Sequence, residues 1–179
     1  RGVTRLVGGS LDGALALLQP LLGAGVQWPG RDQVLAALNG VLGDHLERTS
    51  NPLAVPMQVR RAGVALDLAV GAGAVEVPDA RGHVLLMIHG LCMSDLQWRR
   101  NGRDHGESLA RRLGATSVYL RYNSGLHVSV NGRRLSALLD DLLQTWPVPI
   151  TRLTIVGHSM GGLVARSAIE SARRSGAQW

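Results

Sequence analysis

The sequence predicts an α/β fold built on a mostly parallel, doubly wound sheet. Three observations carry this. A continuous apolar run stands at Val84–Ile88, and two further strand-like runs stand at Ser117–Leu120 and Leu153–Val156. Segments of helical periodicity separate them, and a glycine-flanked serine falls where the third run gives way to a helix. A continuous apolar run of strand length marks a strand buried on both faces. Strand, helix, strand, helix, strand, helix in that order implies parallel strands with helices on both sides.

The elements before the first run are of another kind. Leu11, Leu15, Leu18 and Leu22 fall on one helical face, with Pro20 weakening the stretch near its end. Val34, Leu35, Leu38, Val41, Leu42 and Leu46 form a second stripe, stopped by Thr49-Ser50-Asn51-Pro52. Both read as packing faces. A hairpin follows: Met57 and Val59 alternate with polar neighbours, Ala62-Gly63 turns, and Val64, Leu66 and Leu68 return. Gly71 to Ala74, closed by Pro78-Asp79, reads as a linker or a wide turn. The expected organisation is an N-terminal helical extension over 1–50 and an α/β core over 53–179.

Inside the core, Asp104 with Glu107 three residues on reads as a capping box that opens a helix, and Gly114 closes it. Leu135, Leu138, Leu139, Leu142, Leu143 and Trp146 form the strongest stripe in the chain, stopped by Pro147 and Pro149. Met160 opens the last helix.

Composition excludes several classes of function. The chain has 179 residues, 45% of them hydrophobic and 18% charged, an ordinary balance for a folded domain. There is no Phe, so the core relies on aliphatic residues and four Trp. All 19 basic residues are arginine, and the net charge of +6 would suit an anionic surface such as a phospholipid headgroup layer. The arginines are scattered, however, which reads as a solvated surface, and no interleaved aromatics suggest nucleic acid. The single cysteine, Cys92, excludes an internal disulfide and a cysteine-based zinc site. It fits a reducing compartment such as the cytoplasm. No phosphate loop ending in Lys and no H-E-x-x-H occur, so no metal or cofactor is expected. No apolar run reaches the roughly 18 residues of a spanning helix. The chain begins at Arg1 and ends at Trp179 just beyond a helical pattern, so both ends read as cuts.

Gly157-His158-Ser159-Met160-Gly161 fits G-x-S-x-G. A serine on a tight strand-to-helix turn holds a strained backbone and presents its hydroxyl above the sheet. Glycine is needed two positions either way because side chains there would meet neighbouring backbone. In so glycine-rich a chain a chance match is on the order of one in five, so the pattern alone decides little. Its position between a buried strand and a helix gives it weight. Gly162 extends the run of small residues where the helix is expected to pack close to the strand.

His89-Gly90-Leu91 directly follows the first buried run. Two strands joined through one βα unit can still be neighbours in a doubly wound sheet, which would bring Leu91 beside Ser159. The N–H groups of Leu91 and Met160 would then form an oxyanion hole, each donor worth about 3–4 kcal/mol in acyl transfer.

G-H-S-M-G-G over Gly157–Gly162, with H-G-L at His89–Leu91 and R-Y-N-S-G at Arg121–Gly125, resembles the lipase and esterase branch of the α/β-hydrolase superfamily. It is most similar to bacterial proteins like GPI inositol-deacylases and triacylglycerol lipases. The resemblance covers roughly Val84 to Arg174. It implies an α/β-hydrolase fold with Ser159 as nucleophile and Leu91 and Met160 as oxyanion donors. His89, Gly90, Gly157, His158, Gly161 and Gly162 support the motif. The three runs would be family strands three to five and the hairpin the first two. The implied substrate is a small-molecule or lipid-like ester, and Leu91, Cys92, Met93 and Leu126 would give an apolar mouth.

The departure from the family is as informative. There the acid and the histidine follow the serine. Here His45, His83, His89, His105, His127 and His158 all precede it, and Glu170 is the sole acid after it. His127 is the least implausible substitute base, and His158 is expected to pack below the elbow. The simplest explanation is that the last strands of the sheet are missing from the chain. The alternative to a serine esterase is a non-catalytic α/β-hydrolase-like module that binds a lipid or a protein.

Overall fold

The computed structural model describes the chain apart from residues 1, 24, 26, 70–74 and 178, and apart from the side chains of residues 1–10. The expected linker at 71–74 lies outside the described residues. The chain has an α/β fold.

Among the described residues, seven strands and five α-helices occur in the order α1 (Gly2–Leu22), α2 (Arg31–Arg48), β1 (Gln58–Arg61), β2 (Val64–Ala65), β3 (His83–Ile88), β4 (Arg99–Arg100), β5 (Arg103–Asp104), α3 (His105–Leu113), β6 (Thr116–Arg121), α4 (Val128–Thr145), β7 (Arg152–Gly157) and α5 (Met160–Ser175). The main sheet has the strand order β2-β1-β6-β3-β7. β3 lies between β6 and β7 and is parallel to both, with Ile88 opposite Leu120 on one side and Gly157 on the other. β1 joins β6 antiparallel and carries β2 as a short edge strand.

The alternation of β3 explains why a continuous apolar run is needed. Val84, Leu86 and Ile88 pack with Leu135, Leu139, Leu142, Val164 and Ala168 of α4 and α5. Leu85 and Met87 point the other way, onto Ala110 of α3, Ala115 and Tyr119. Each such side chain removed from water contributes about 1.5–3 kcal/mol, so both layers hold the strand that ends at the candidate site.

β7 departs from expectation. Its four apolar-run residues are only half-buried, because among the described residues it is an edge strand with β3 alone beside it. The hairpin is also shorter than its alternation suggests: β2 is two exposed residues, and Leu66 only reaches back to Val59 through its N–H. Its turn is as the residues require, with Ala62 at φ 51° and Gly63 at φ 83°. Positive φ at both central positions gives the turn the twist of the flanking strands.

Two further differences are local. Asp104 caps α3 by accepting from the N–H of Glu107 at 3.0 Å, but the Glu107 carboxylate does not complete the box. It accepts from the Ser117 hydroxyl at 2.6 Å instead, a tertiary partner displacing a local one. Pro20 remains inside the last turn of α1, where little of the helix is left for it to disrupt.

α1 and α2 share a small core of Leu15, Leu22, Leu35 and Leu46, closed by Leu53 and Val55. Val34 and Val41, expected in the stripe, are exposed. The buried face of α2 instead includes Ala36, Asn39 and Gly43, and this face meets the loops at the C-terminal ends of β3 and β6. Among the described residues no helix is long and apolar enough to cross a membrane.

Candidate active site

Ligands in open parallel sheets bind outside the carboxyl ends of the strands, and the sequence motifs converge there. β7 ends at Gly157, and α5 starts at Met160. Ser159 sits between them at φ 51° and ψ −122°, a conformation a non-glycine residue adopts only at a cost of about 1–3 kcal/mol. Its side chain is exposed and does not cap the helix it precedes.

The flanking glycines answer to backbone contacts. A Cβ on Gly157 would lie 2.5 Å from the N of Gly162, and one on Gly161 would lie 2.5 Å from the carbonyl oxygen of Ile88. Gly162 is different: a Cβ there would meet only the Gly157 carbonyl, at 4.0 Å. The close helix–strand packing expected at Gly162 is therefore made at Gly161.

The loop after β3 lies against this turn. A Cβ on Gly90 would be 3.2 Å from Cβ of Ser159 and 3.1 Å from Nδ1 of His158. Leu91 follows, about half exposed at 51%. Met160 is the first residue of α5, so its N–H has no intrahelical acceptor. His158 does not pack below the elbow. It is exposed and stands edge-on to Trp98, with ring centroids 6.3 Å apart.

His89 is fully buried. Its ring stacks on Tyr122 at 4.4 Å, and Nδ1 lies 2.9 Å from the carbonyl oxygen of Gly90. That carbonyl can only accept, so Nδ1 carries the proton. Burial lowers the pKa of the ring to about 4, the bond to Gly90 working against it and the Arg121 charge with it. The Tyr122 hydroxyl in turn donates to the His89 carbonyl at 2.8 Å. His89 thus serves as a brace between two strand ends.

Arg121–Gly125 supplies more than the sequence suggested. Ser124 accepts from the N–H of Cys92 at 3.0 Å, and Asn123 donates to the carbonyl of Gly43 at 3.1 Å. Arg121 pairs with Asp32 of α2 at 2.7 Å and lies 3.6 Å from Asp95. Asp95 is buried beyond the His89–Leu91 loop, and burial raises its carboxyl pKa against the pull of Arg60 and Arg121. α2 closes on the same loops so tightly that a Cβ on Gly40 would lie 2.3 Å from Sγ of Cys92. Helix-interior glycines at 40 and 43 were the available signal for this contact, since each costs about 1 kcal/mol relative to alanine.

The remaining candidates are elsewhere or otherwise engaged. Glu170 lies on the outer face of α5, paired with Arg173 and Arg174, and these bonds hold its pKa down to about 2. His127 is exposed at the start of α4 and makes no side-chain cap. Of the residues expected to line an apolar mouth, Leu126 is buried in packing, while Leu91, Cys92 and Met93 retain exposure. Among the described residues no cluster of His, Cys, Asp or Glu could hold a metal ion.

A family model described as PGAP1-like alpha/beta domain matches residues 79–176, more than half of the chain. The chain belongs to this family. The PGAP1-like family is hydrolase-related, and the matched span runs from the turn before β3 to the end of α5, so it holds both the Ser159 elbow and the His89–Leu91 loop. α1, α2 and the β1–β2 hairpin precede the PGAP1-like match. No curated protein and no solved structure matches the chain.

Proposed function

We propose that this PGAP1-like domain is the nucleophile-bearing part of a serine hydrolase that cleaves carboxylic esters, with a lipid-like acyl group as the substrate class. The observation that carries the reading is the exposed Ser159 at φ 51°, standing between a parallel strand and a helix N-terminus. A strained serine free of any capping bond has no structural purpose there.

In this reading Oγ of Ser159 attacks the acyl carbonyl and its proton passes to a general base. The C–O bond to the alcohol breaks as the alcohol takes a proton, leaving an acyl-serine. Water then attacks the acyl-serine and releases the carboxylic acid and the free hydroxyl. The N–H groups of Leu91 and Met160 would receive the negative charge that develops on the carbonyl oxygen. The partly exposed Leu91, Cys92 and Met93 favour an apolar acyl group over a sugar.

None of the six histidines of the chain follows Ser159, so the general base of this reading remains to be identified. Without it, oxyanion stabilisation and binding leave roughly 10³–10⁴ over the water reaction. The test is to read the coding frame past Trp179 and assay ester hydrolysis of the encoded protein beside Ser159→Ala. An acidic residue after a further strand, a later histidine, and activity lost in Ser159→Ala would support the reading. A frame without such a histidine would overturn it in favour of a binding module, and activity that survives in Ser159→Ala would overturn Ser159 as the nucleophile.

A further inference from the structure

A small polar cavity lies beneath the loop that follows β3, bordered by Asn39, His89, Ser94, Arg121 and Tyr122 among others. The space there open to the centre of a water molecule is about 10 Å³, close to the least that admits one. Most of the polar groups around it are satisfied. Asn39 donates to the carbonyls of Leu35 and Leu53 and accepts from the N–H of Val55. Tyr122 donates to the His89 carbonyl. Two atoms differ: Nε2 of His89 has no hydrogen-bond partner among the described residues, and Oγ of Ser94, set toward the Gln97 N–H as in a capping box, has no acceptor there for its own proton.

Both residues are nearly inaccessible, at 0% and 3% exposure. A buried polar atom left unpaired costs about 1–3 kcal/mol, so two of them at one cavity call for a common partner. The chemistry of that partner is narrow. Nδ1 of His89 holds its proton against the Gly90 carbonyl, so the neutral ring offers a bare lone pair at Nε2 and needs a donor. The Ser94 hydroxyl needs an acceptor for its own proton. A larger ligand is excluded by volume.

We propose that this cavity is a binding site for one internal water molecule, which donates to Nε2 of His89 and accepts from the hydroxyl of Ser94. The water completes a brace that already includes the Tyr122 stack and the Gly90 carbonyl. On the reading given under Proposed function, and resting on it, this brace holds the peptide that aims the N–H of Leu91. Ser94 and the water then act as positioning groups and touch no reacting atom.

Nuclear magnetic resonance on the ¹⁵N-labelled chain tests this directly. Long-range ¹⁵N–¹H correlation reports the His89 tautomer and whether Nε2 is hydrogen-bonded. Water–protein cross-relaxation reports a long-lived water beside the ring protons. The expected result is a protonated Nδ1, an Nε2 shifted toward its hydrogen-bonded value, and a water cross-peak to the His89 ring. Ser94→Ala is expected to move the Nε2 shift or weaken that cross-peak, while Ser159→Ala leaves both unchanged. The last comparison separates this site from the catalytic reading, whose failure would not alter the spectra. An unbonded Nε2 without a water cross-peak would overturn the proposal. So would a bonded Nε2 with no water nearby, which would mean a direct bond to Ser94, or an Nε2 shift and cross-peak indifferent to Ser94→Ala. The wild-type spectra decide even if that variant does not fold.

Discussion

The N–H of His158 donates to the carbonyl of Ile88 at 2.9 Å, and Gly161 closes on the same carbonyl from the next turn. One oxygen at the end of β3 thereby locks the elbow after β7. A Cβ at position 161 would also lie 2.7 Å from the His89 carbonyl. Both obstacles are backbone, so neither can swing aside. Gly161→Ala is expected to lower stability by about 1–3 kcal/mol, the usual cost of overpacking. Urea unfolding would show it as an earlier midpoint. An unchanged midpoint would mean the two turns are not packed this closely.

Ser159 provides a complementary test of strain. Its φ of 51° suits glycine and penalises any other residue. Ser159→Gly and Ser159→Ala both delete the hydroxyl, but only the first relieves the backbone. The glycine variant is expected to be more stable than the alanine variant by about 1 kcal/mol, after allowing for the greater freedom of glycine in the unfolded chain. Equal stabilities would remove the strain on which the functional reading depends.

The central sheet was legible because parallel strands buried on both faces leave a continuous apolar trace, as Val84–Ile88 does. Leu153–Val156 leaves a similar trace, interrupted only by Thr154, yet β7 is half exposed. Burial there depends on what lies beyond the sheet edge, which four residues cannot report. The elbow was legible because close backbone approach admits only glycine at 157 and 161. The short β4–β5 hairpin had its own signal in Asn101-Gly102, both at positive φ, which the reading of the sequence passed over. The role of Arg121–Gly125 in holding α2 and Cys92 was not legible, because its partners are remote in the chain.

The seat of α2 on those loops yields a third prediction. A Cβ on Gly43 would lie 2.1 Å from Oδ1 of Asn123 and 2.8 Å from Cα of Gly125. In an isolated helix Gly→Ala would be worth about 1 kcal/mol of stabilisation. Here the tertiary clash dominates, and Gly43→Ala is expected to destabilise by about 1–3 kcal/mol. Faster amide hydrogen exchange across 91–94 and 123–126 would locate the effect at the joint. A stabilised variant would mean that α2 does not bear on the candidate site.

His89 gives the last prediction, and its direction follows from the burial of the ring. The folded ring titrates at about 4, the unfolded one near 6.5. Above pH 6.5 both states are neutral and this residue adds no pH dependence. Between pH 6.5 and 4 the unfolded chain takes a proton that the folded chain refuses, so stability falls as the pH drops. The loss over that window is of order 3 kcal/mol, the shift converted at 1.36 kcal/mol per unit. Tyr122 is pushed further from titrating by its burial. Asp95 opposes the trend, because burial raises its folded pKa and makes acid favour the fold. The informative quantity is therefore the difference between wild type and His89→Gln at each pH. Urea unfolding is expected to find His89→Gln losing less stability than wild type as the pH falls from 6.5 to 4. Any constant offset from the substituted side chain cancels in that comparison. Two parallel curves would show that the folded ring accepts a proton as readily as the unfolded one, which an imidazole this deeply buried would not do.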